Sequence, residues 1–195
     1  NFFDNLHEKH FLAFGKDAML IGEEITLDTK RNPFVINLDA ITVNGETLGL
    51  KDSLSKSITV VDTGTSSLSF VKGVHDVVAM NIIKEMTKAG YRVMFGGKNV
   101  CYRGKISKHI PLRVILKFDK VTIEMNAPAL FRQVDESYFC LNMLESPIKK
   151  NLLGITVFQN YNIGFDIPNN KLHIKEIECS RLYDNIKDEL GHRDP

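Results

Sequence analysis

The chain of 195 residues is 43% hydrophobic and 25% charged, a balance that suits one globular domain able to bury a core without a metal or dense disulfides. Its 25 Lys plus Arg nearly cancel its 24 Asp plus Glu and the two signs are interspersed, which leaves no electrostatic footprint for nucleic acid or an anionic membrane surface. No apolar run reaches the roughly 18 residues that span a bilayer, and the three cysteines are too few and too widely spaced for a zinc site of the paired Cys-x-x-Cys kind.

The opening segment from Asn1 to His7 lacks the basic start, long apolar stretch and small-residue cleavage site of a signal peptide. With no initiator Met, the chain is expected to begin inside a longer precursor. Phe34 to Val43 is rich in β-branched and apolar residues and predicts a strand. Asn44-Gly45 follows at once, the pair favoured in two-residue hairpin turns because both positions need positive φ. A return strand from Glu46 to Leu50 is expected.

A β-branched run, Ile58 to Val61, then stops abruptly at Asp62-Thr63-Gly64-Thr65-Ser66-Ser67. Beyond it, Val74, Val78, Ile82, Met86 and Ala89 recur at helical spacing, predicting a helix from about Gly73 to Ala89 with Gly90 as its stop. Its apolar stripe belongs to the core. Leu112, Val114, Leu116 and Phe118 alternate with Arg113, Ile115 and Lys117, and after Asp119-Lys120 the alternation resumes through Val121, Ile123 and Met125, which predicts a second hairpin buried on one face. Tyr138 to Leu144 and Tyr161 to Asp166 are strand-like. Between them, Asn151-Leu152-Leu153-Gly154 precedes an apolar, helical turn from Ile155 to Gln159, and Pro168-Asn169-Asn170 supplies turn chemistry before Lys171-Leu172-His173-Ile174. The sum is a mainly β domain with one substantial helix and shorter ones, without internal repeat or linker.

The chemistry concentrates at Ser57 to Leu68. The strand would deliver Asp62 to a tight turn, Gly64 would let the backbone bend where a side chain would collide, and Thr63 and Thr65 could hydrogen-bond around the carboxylate and fix its orientation. Taken alone, Asp-Thr-Gly is also an ordinary strand-ending turn. Rival chemistries find little support. His7, His10, His75, His109, His173 and His192 show no metal-ligand spacing. Gly15-Lys16 and Gly97-Lys98 lack the rest of a phosphate-binding loop, and Ser66 and Ser67 have no identifiable base. Cys101, Cys140 and Cys179 are consistent with one bridge and one leftover sulfur in a secreted protein, or with three reduced thiols in cytosol.

Val60-Val61-Asp62-Thr63-Gly64-Thr65-Ser66 resembles the active-site string of pepsin-like aspartic proteases, with Thr after the Gly as is usual for their second lobe. Leu152-Leu153-Gly154 resembles that family's two-hydrophobics-then-Gly element, whose strand threads past the catalytic loop in a ψ-shaped crossing. Phe158 to Asp166 with Asn169 to Leu172 resembles the closing strands of the lobe. Leu12 to Ala18, Phe34 to Val43, Cys101-Tyr102 and Ile177-Glu178-Cys179 fall in the order and approximate spacing of the plant nepenthesin-like branch, which is similar to xylanase-inhibitor proteins. The resemblance covers nearly the whole chain. Ile155 departs from it, since many members carry Asp or Asn there, as does Thr63, where Ser is commoner in the plant branch. One Asp-Thr-Gly is present where a bilobal member has two.

The resemblance implies a mainly β, closed barrel-like double-ψ lobe, with residues 1–195 forming the carboxy-terminal lobe of a bilobal aspartic protease. In that family two aspartates, one per lobe, share a proton and hold a water between them. One carboxylate takes a proton from the water while the other protonates the scissile carbonyl oxygen, with no metal, cofactor or covalent intermediate. Carried over, Asp62 is the catalytic carboxylate, Thr63 braces the two active-site loops, Thr65 hydrogen-bonds the outer oxygen of Asp62, and Gly64 and Ser66 touch substrate backbone. The implied partners are the amino-terminal lobe and a protein or peptide substrate, with no nucleic acid or membrane partner. A Cys101–Cys140 disulfide, with Cys179 reaching the other lobe, and a secretory, extracellular or vacuolar location are implied as well. An inactive binding or inhibitor protein on the same scaffold is the alternative. A self-dimerising single-lobe protease is disfavoured by the length of the chain.

Overall fold

In the computed structural model, which describes residues 13–15, 18, 20–30, 32–96 and 99–177, the chain is built of short strands joined by tight turns. β1 (Glu23–Thr26), β2 (Val35–Ile36), β3 (Ala40–Val43) and β4 (Glu46–Thr47) lead into the short helix α1 (Lys51–Ser55). β5 (Ile58–Val61) and β6 (Leu68–Phe70) flank the Asp62 loop, and α2 (Lys72–Lys88) follows. Next come β7 (Val93–Gly96), β8 (Asn99–Arg103), β9 (Arg113–Phe118), β10 (Val121–Asn126), the single turn of α3 (Ala127–Leu130), β11 (Phe131–Gln133), β12 (Tyr138–Leu141) and β13 (Met143–Glu145). β14 (Lys150–Leu153), a 3-10 turn over Ile155–Phe158, β15 (Tyr161–Asp166) and β16 (Lys171–Glu176) end the described part. The amino-terminal segment, His7, His10, Leu12, Lys16, Asp17, Gly97-Lys98, Glu178-Cys179 and His192 lie outside the described residues.

Among the described residues the strands form four sheets, in the orders β1-β16-β15, β10-β9-β3-β4, β11-β12-β8-β7 and β13-β6-β14-β5-β2. The mainly β lobe is as expected, but among the described residues no sheet closes into a barrel. The chain leaves each sheet after a few residues, so every sheet keeps two distinct edge strands. The stretch from Phe34 to Val43 shows this directly. It is two strands in two sheets, β2 pairing with β5 and β3 with β9, because the chain crosses between them at Asn37–Asp39 with Leu38 buried and the Asp39 amide donating to Lys117 O at 2.9 Å. Tyr138 to Leu144 divides in the same way into β12 and β13, at Asn142.

The turns follow their residues. Asn44 and Gly45 sit at φ 46° and 84°, with Val43 opposite Glu46, as a two-residue hairpin of this kind requires. The return strand stops at Thr47; the Leu48 amide still donates to Ile41 O at 2.9 Å, and Leu48 and Leu50 are buried in the core. β9 and β10 pair from Phe118–Val121 to Arg113–Asn126, with Val114, Leu116, Phe118, Val121, Ile123 and Met125 buried on one face. α2 buries Val74, Val78, Ala79, Ile82 and Met86. Ala89 lies past its end and is exposed. Gly90 at φ 86° terminates the helix, with the Gly90 amide donating to Thr87 O and the Tyr91 amide to Met86 O, the two bonds that satisfy orphan carbonyls at a glycine stop.

The core joins this helical stripe to the sheets and to an aromatic group of Tyr102, Phe131 and Phe139, whose ring centroids are 5.1 to 5.7 Å apart. Cys101 faces Cys140 across β8 and β12 and is bonded to it, the Cα atoms 4.0 Å apart. The implied disulfide is therefore present. Among the described residues no helix is long and apolar enough to cross a membrane.

Candidate active site

β5 carries Thr59 and Val61 into the core and ends at Asp62, which is half-buried. The chain then turns: the Thr65 amide donates to Asp62 O at 3.1 Å, and Thr63, Gly64 and Ser66 are exposed while Ser67 and Leu68 return to the interior. Both carboxylate oxygens are held by the loop itself. The Gly64 amide donates to Oδ1 at 3.0 Å and the Thr65 hydroxyl to Oδ2 at 2.6 Å. Two donors on two oxygens remove the rotational freedom of the carboxylate, which is what a group that must meet a substrate atom needs.

Gly64 supplies room rather than unusual backbone angles. A Cβ there would stand 3.2 Å from Asp62 Oδ1, crowding the oxygen to which its own amide donates. Thr63 and Ser66 are exposed, and their hydroxyls form no hydrogen bond among the described residues.

The loop does not stand alone. β14 runs between β5 and β6, parallel to the first and antiparallel to the second, so that the segment arriving from far downstream splits the two strands that flank Asp62. Leu153 O accepts from the Asp62 amide at 3.0 Å, and the Ile155 amide donates to Thr65 O at 2.8 Å. Gly154, between them, passes so near the loop that a Cβ would meet Ser67 O at 2.2 Å and Thr65 O at 2.4 Å, both backbone atoms. The expected ψ-shaped crossing is therefore formed, and the glycine of the two-hydrophobics-then-Gly element has a steric reason. Ile155, which stands where many pepsin-like proteins carry a polar residue, is half-exposed beside the loop.

One residue of the site was not singled out from the sequence. Asn151 is fully buried in β14 and hydrogen-bonds Val71, Ser57 and Thr59. Its signal was a polar side chain on the buried face of an apolar strand, where a Leu or Val is the default. A cavity of about 350 Å³ lies away from Asp62, at the opposite end of β5, between Lys56, Ser57, Lys72, Ser146 and Lys149. The loop itself is open to solvent.

The chain is similar to the crystal structure of edgp, with 14% identity over 76% of this chain and 40% of that one and a TM-score of 0.65. It is similar to the crystal structure of basic 7S globulin from soybean at 16% identity, over 82% of this chain and 45% of that one, again with a TM-score of 0.65. At such identities the likeness shows the fold, a pepsin-like lobe, and the chain spans less than half of each of these structures. No curated protein matches the chain. Residues 34–176, which hold the Asp62 loop, the crossing strand and the disulfide, match the model of the xylanase inhibitor C-terminal family, and the chain belongs to that family.

Proposed function

We propose that the chain is the carboxy-terminal lobe of a bilobal aspartic endopeptidase, with Asp62 as one of two catalytic carboxylates. The observation that carries this is the intact geometry at Asp62: a carboxylate at a solvent-facing turn, both oxygens held by the Gly64 amide and the Thr65 hydroxyl. A decayed loop has no need of that arrangement. The second carboxylate comes from an amino-terminal lobe that closes over this surface, and the two share one proton because carboxylates so close cannot both ionise.

In the reaction one carboxylate accepts a proton from the water held between them, the water oxygen attacks the scissile carbonyl carbon, and the other carboxylate delivers its proton to the carbonyl oxygen. Thr65 keeps the outer oxygen of Asp62 from rotating during this exchange. Thr63 bonds to the matching loop of the other lobe, while Gly64 and Ser66 line the cleft against the backbone of a protein or peptide substrate. The Cys101–Cys140 bridge supports passage through an oxidising compartment and hence a secreted or vacuolar protein.

A second reading has its own support, since the matching family is described as a xylanase inhibitor. In that case the full-length protein binds another protein through the same scaffold and cleaves nothing. The test is to assay the full-length protein for cleavage of an unfolded protein between about pH 3 and pH 7, the range over which a carboxylate dyad works, and for inhibition of a xylanase. Acid-optimum proteolysis supports the enzyme. Xylanase inhibition without proteolysis supports the binding protein.

A further inference from the structure

A side-chain amide is out of place in a strand whose alternate residue, Leu153, points into the core, and Asn151 has no exposed surface at all. Burying an amide is costly unless its groups are met. Here they are. Oδ1 accepts from the Val71 amide at 3.0 Å, and Nδ2 donates to Ser57 Oγ at 2.9 Å and to Thr59 Oγ1 at 3.1 Å. The Val71 amide can only donate, which fixes the orientation of the Asn151 side chain, and Ser57 Oγ is free to accept because its own proton goes to Leu54 O.

The partners stand on both sides of the Asp62 loop. Thr59 belongs to β5, the strand that enters it, and Ser57 is the residue immediately before that strand. Val71 directly follows β6, the strand that leaves it, and begins α2 without a side-chain cap of its own. Asn151 is in the crossing strand, 94 residues from Ser57 and 80 from Val71. One amide therefore ties the entering, leaving and crossing strands together below the loop, while Leu153 O and the Ile155 amide tie the crossing strand to the loop above.

We propose that Asn151 is a positioning residue: it sets the register of β14 against β5 and β6 and thereby holds Asp62 where its carboxylate can act, an inference that rests on Asp62 being catalytic. β14 pairs with β5 over only four residues, and a slip of one would turn Asn151 and Leu153 off the buried face and part the amide from its three partners. Hydrophobic residues at this position could fill the space but could not distinguish one register from the next. Three hydrogen bonds to three fixed partners can.

The test uses Asn151→Leu and Asn151→Ser in the full-length protein. Each folded variant is expected to lose kcat by about 10-fold to 100-fold with KM little changed, the signature of a displaced reacting group. Deuterium exchange at the Asp62 and Ile155 amides should accelerate about tenfold or more while Ile82 and Met86 in α2 keep wild-type rates, because the loosening is local. Asn151→Ser is read in the same way should Asn151→Leu fail to fold. Wild-type kcat and wild-type exchange at Asp62 in a folded variant would overturn the proposal, as would acceleration spread equally through α2. A wild type without peptidase activity would instead overturn the catalytic role of Asp62, and the exchange pattern would still decide whether Asn151 holds the loop.

Discussion

The amide of Asp62 donates to the carbonyl of Leu153 at 3.0 Å, and the residue after Leu153 is the one position where the crossing strand cannot tolerate a side chain. Gly154 has an ordinary negative φ, so its role is room and not backbone freedom. The nearest obstacles to a Cβ are carbonyl oxygens of the Asp62 loop, which cannot swing aside as a flexible side chain would.

Gly154→Ala is therefore expected to cost ~1–3 kcal/mol or more, the scale of overpacking against rigid backbone. Urea denaturation of the wild type and variant checks it. A loss under about 0.5 kcal/mol, the usual range of neutral surface changes, would contradict the steric account of the crossing.

The Cys101–Cys140 bridge closes a loop of 39 positions and joins β8 to β12 beside the aromatic group. Replacing both cysteines with serine removes the constraint on the unfolded chain and should cost ~2–4 kcal/mol. The same loss should appear when the wild type is denatured in a strong reductant, and not in the double variant.

Tyr102 is fully buried among Tyr91, Phe131 and Phe139, and its hydroxyl has no partner among the described residues. Burial pushes the phenol up to about 12 from its ordinary 10.0. With the folded value raised, the neutral phenol contributes its stability fully below about pH 10, and that contribution is lost as the pH rises toward about 12. Tyr102→Phe removes an unpaired hydroxyl from an apolar site, so stability at neutral pH should be unchanged or higher by up to ~1 kcal/mol, and the alkaline unfolding midpoint should move upward. A variant clearly less stable than wild type at neutral pH would show that the hydroxyl has a partner.

The turn at Asn44-Gly45, the α2 stripe and the β9–β10 alternation were legible because each is set by residues within a few positions of one another. The division of Phe34 to Val43 into β2 and β3, and of Tyr138 to Leu144 into β12 and β13, was not. Alternation reports that a residue is extended and buried, not which sheet it joins. Asp62 stood out by its loop, yet the ring of contacts that holds it comes from Leu153, Gly154 and Asn151, far along the chain. Only the resemblance of Leu152-Leu153-Gly154 pointed there, and the one signal at Asn151, an amide on the buried face of a strand, shows only once the pairing of that strand is known. Closure of the sheets into a barrel was expected from the family resemblance, but among the described residues the short strands leave every sheet open.

The most direct measurement is cleavage of an unfolded protein by the full-length protein carrying Asp62→Asn, compared with wild type across about pH 3 to pH 7. Asn keeps the size of Asp62 and one oxygen for the Gly64 amide, and the Thr65 hydroxyl can turn to accept from the new amide, so the melting temperature should barely move. What is lost is the proton the carboxylate exchanges with water, and activity should fall by about 100-fold or more. The chain by itself should be inactive, having one carboxylate of the pair. An Asp62→Asn variant that cleaves at a rate comparable to wild type, or cleavage by the isolated chain at concentrations too low for self-association, would contradict the role given to Asp62.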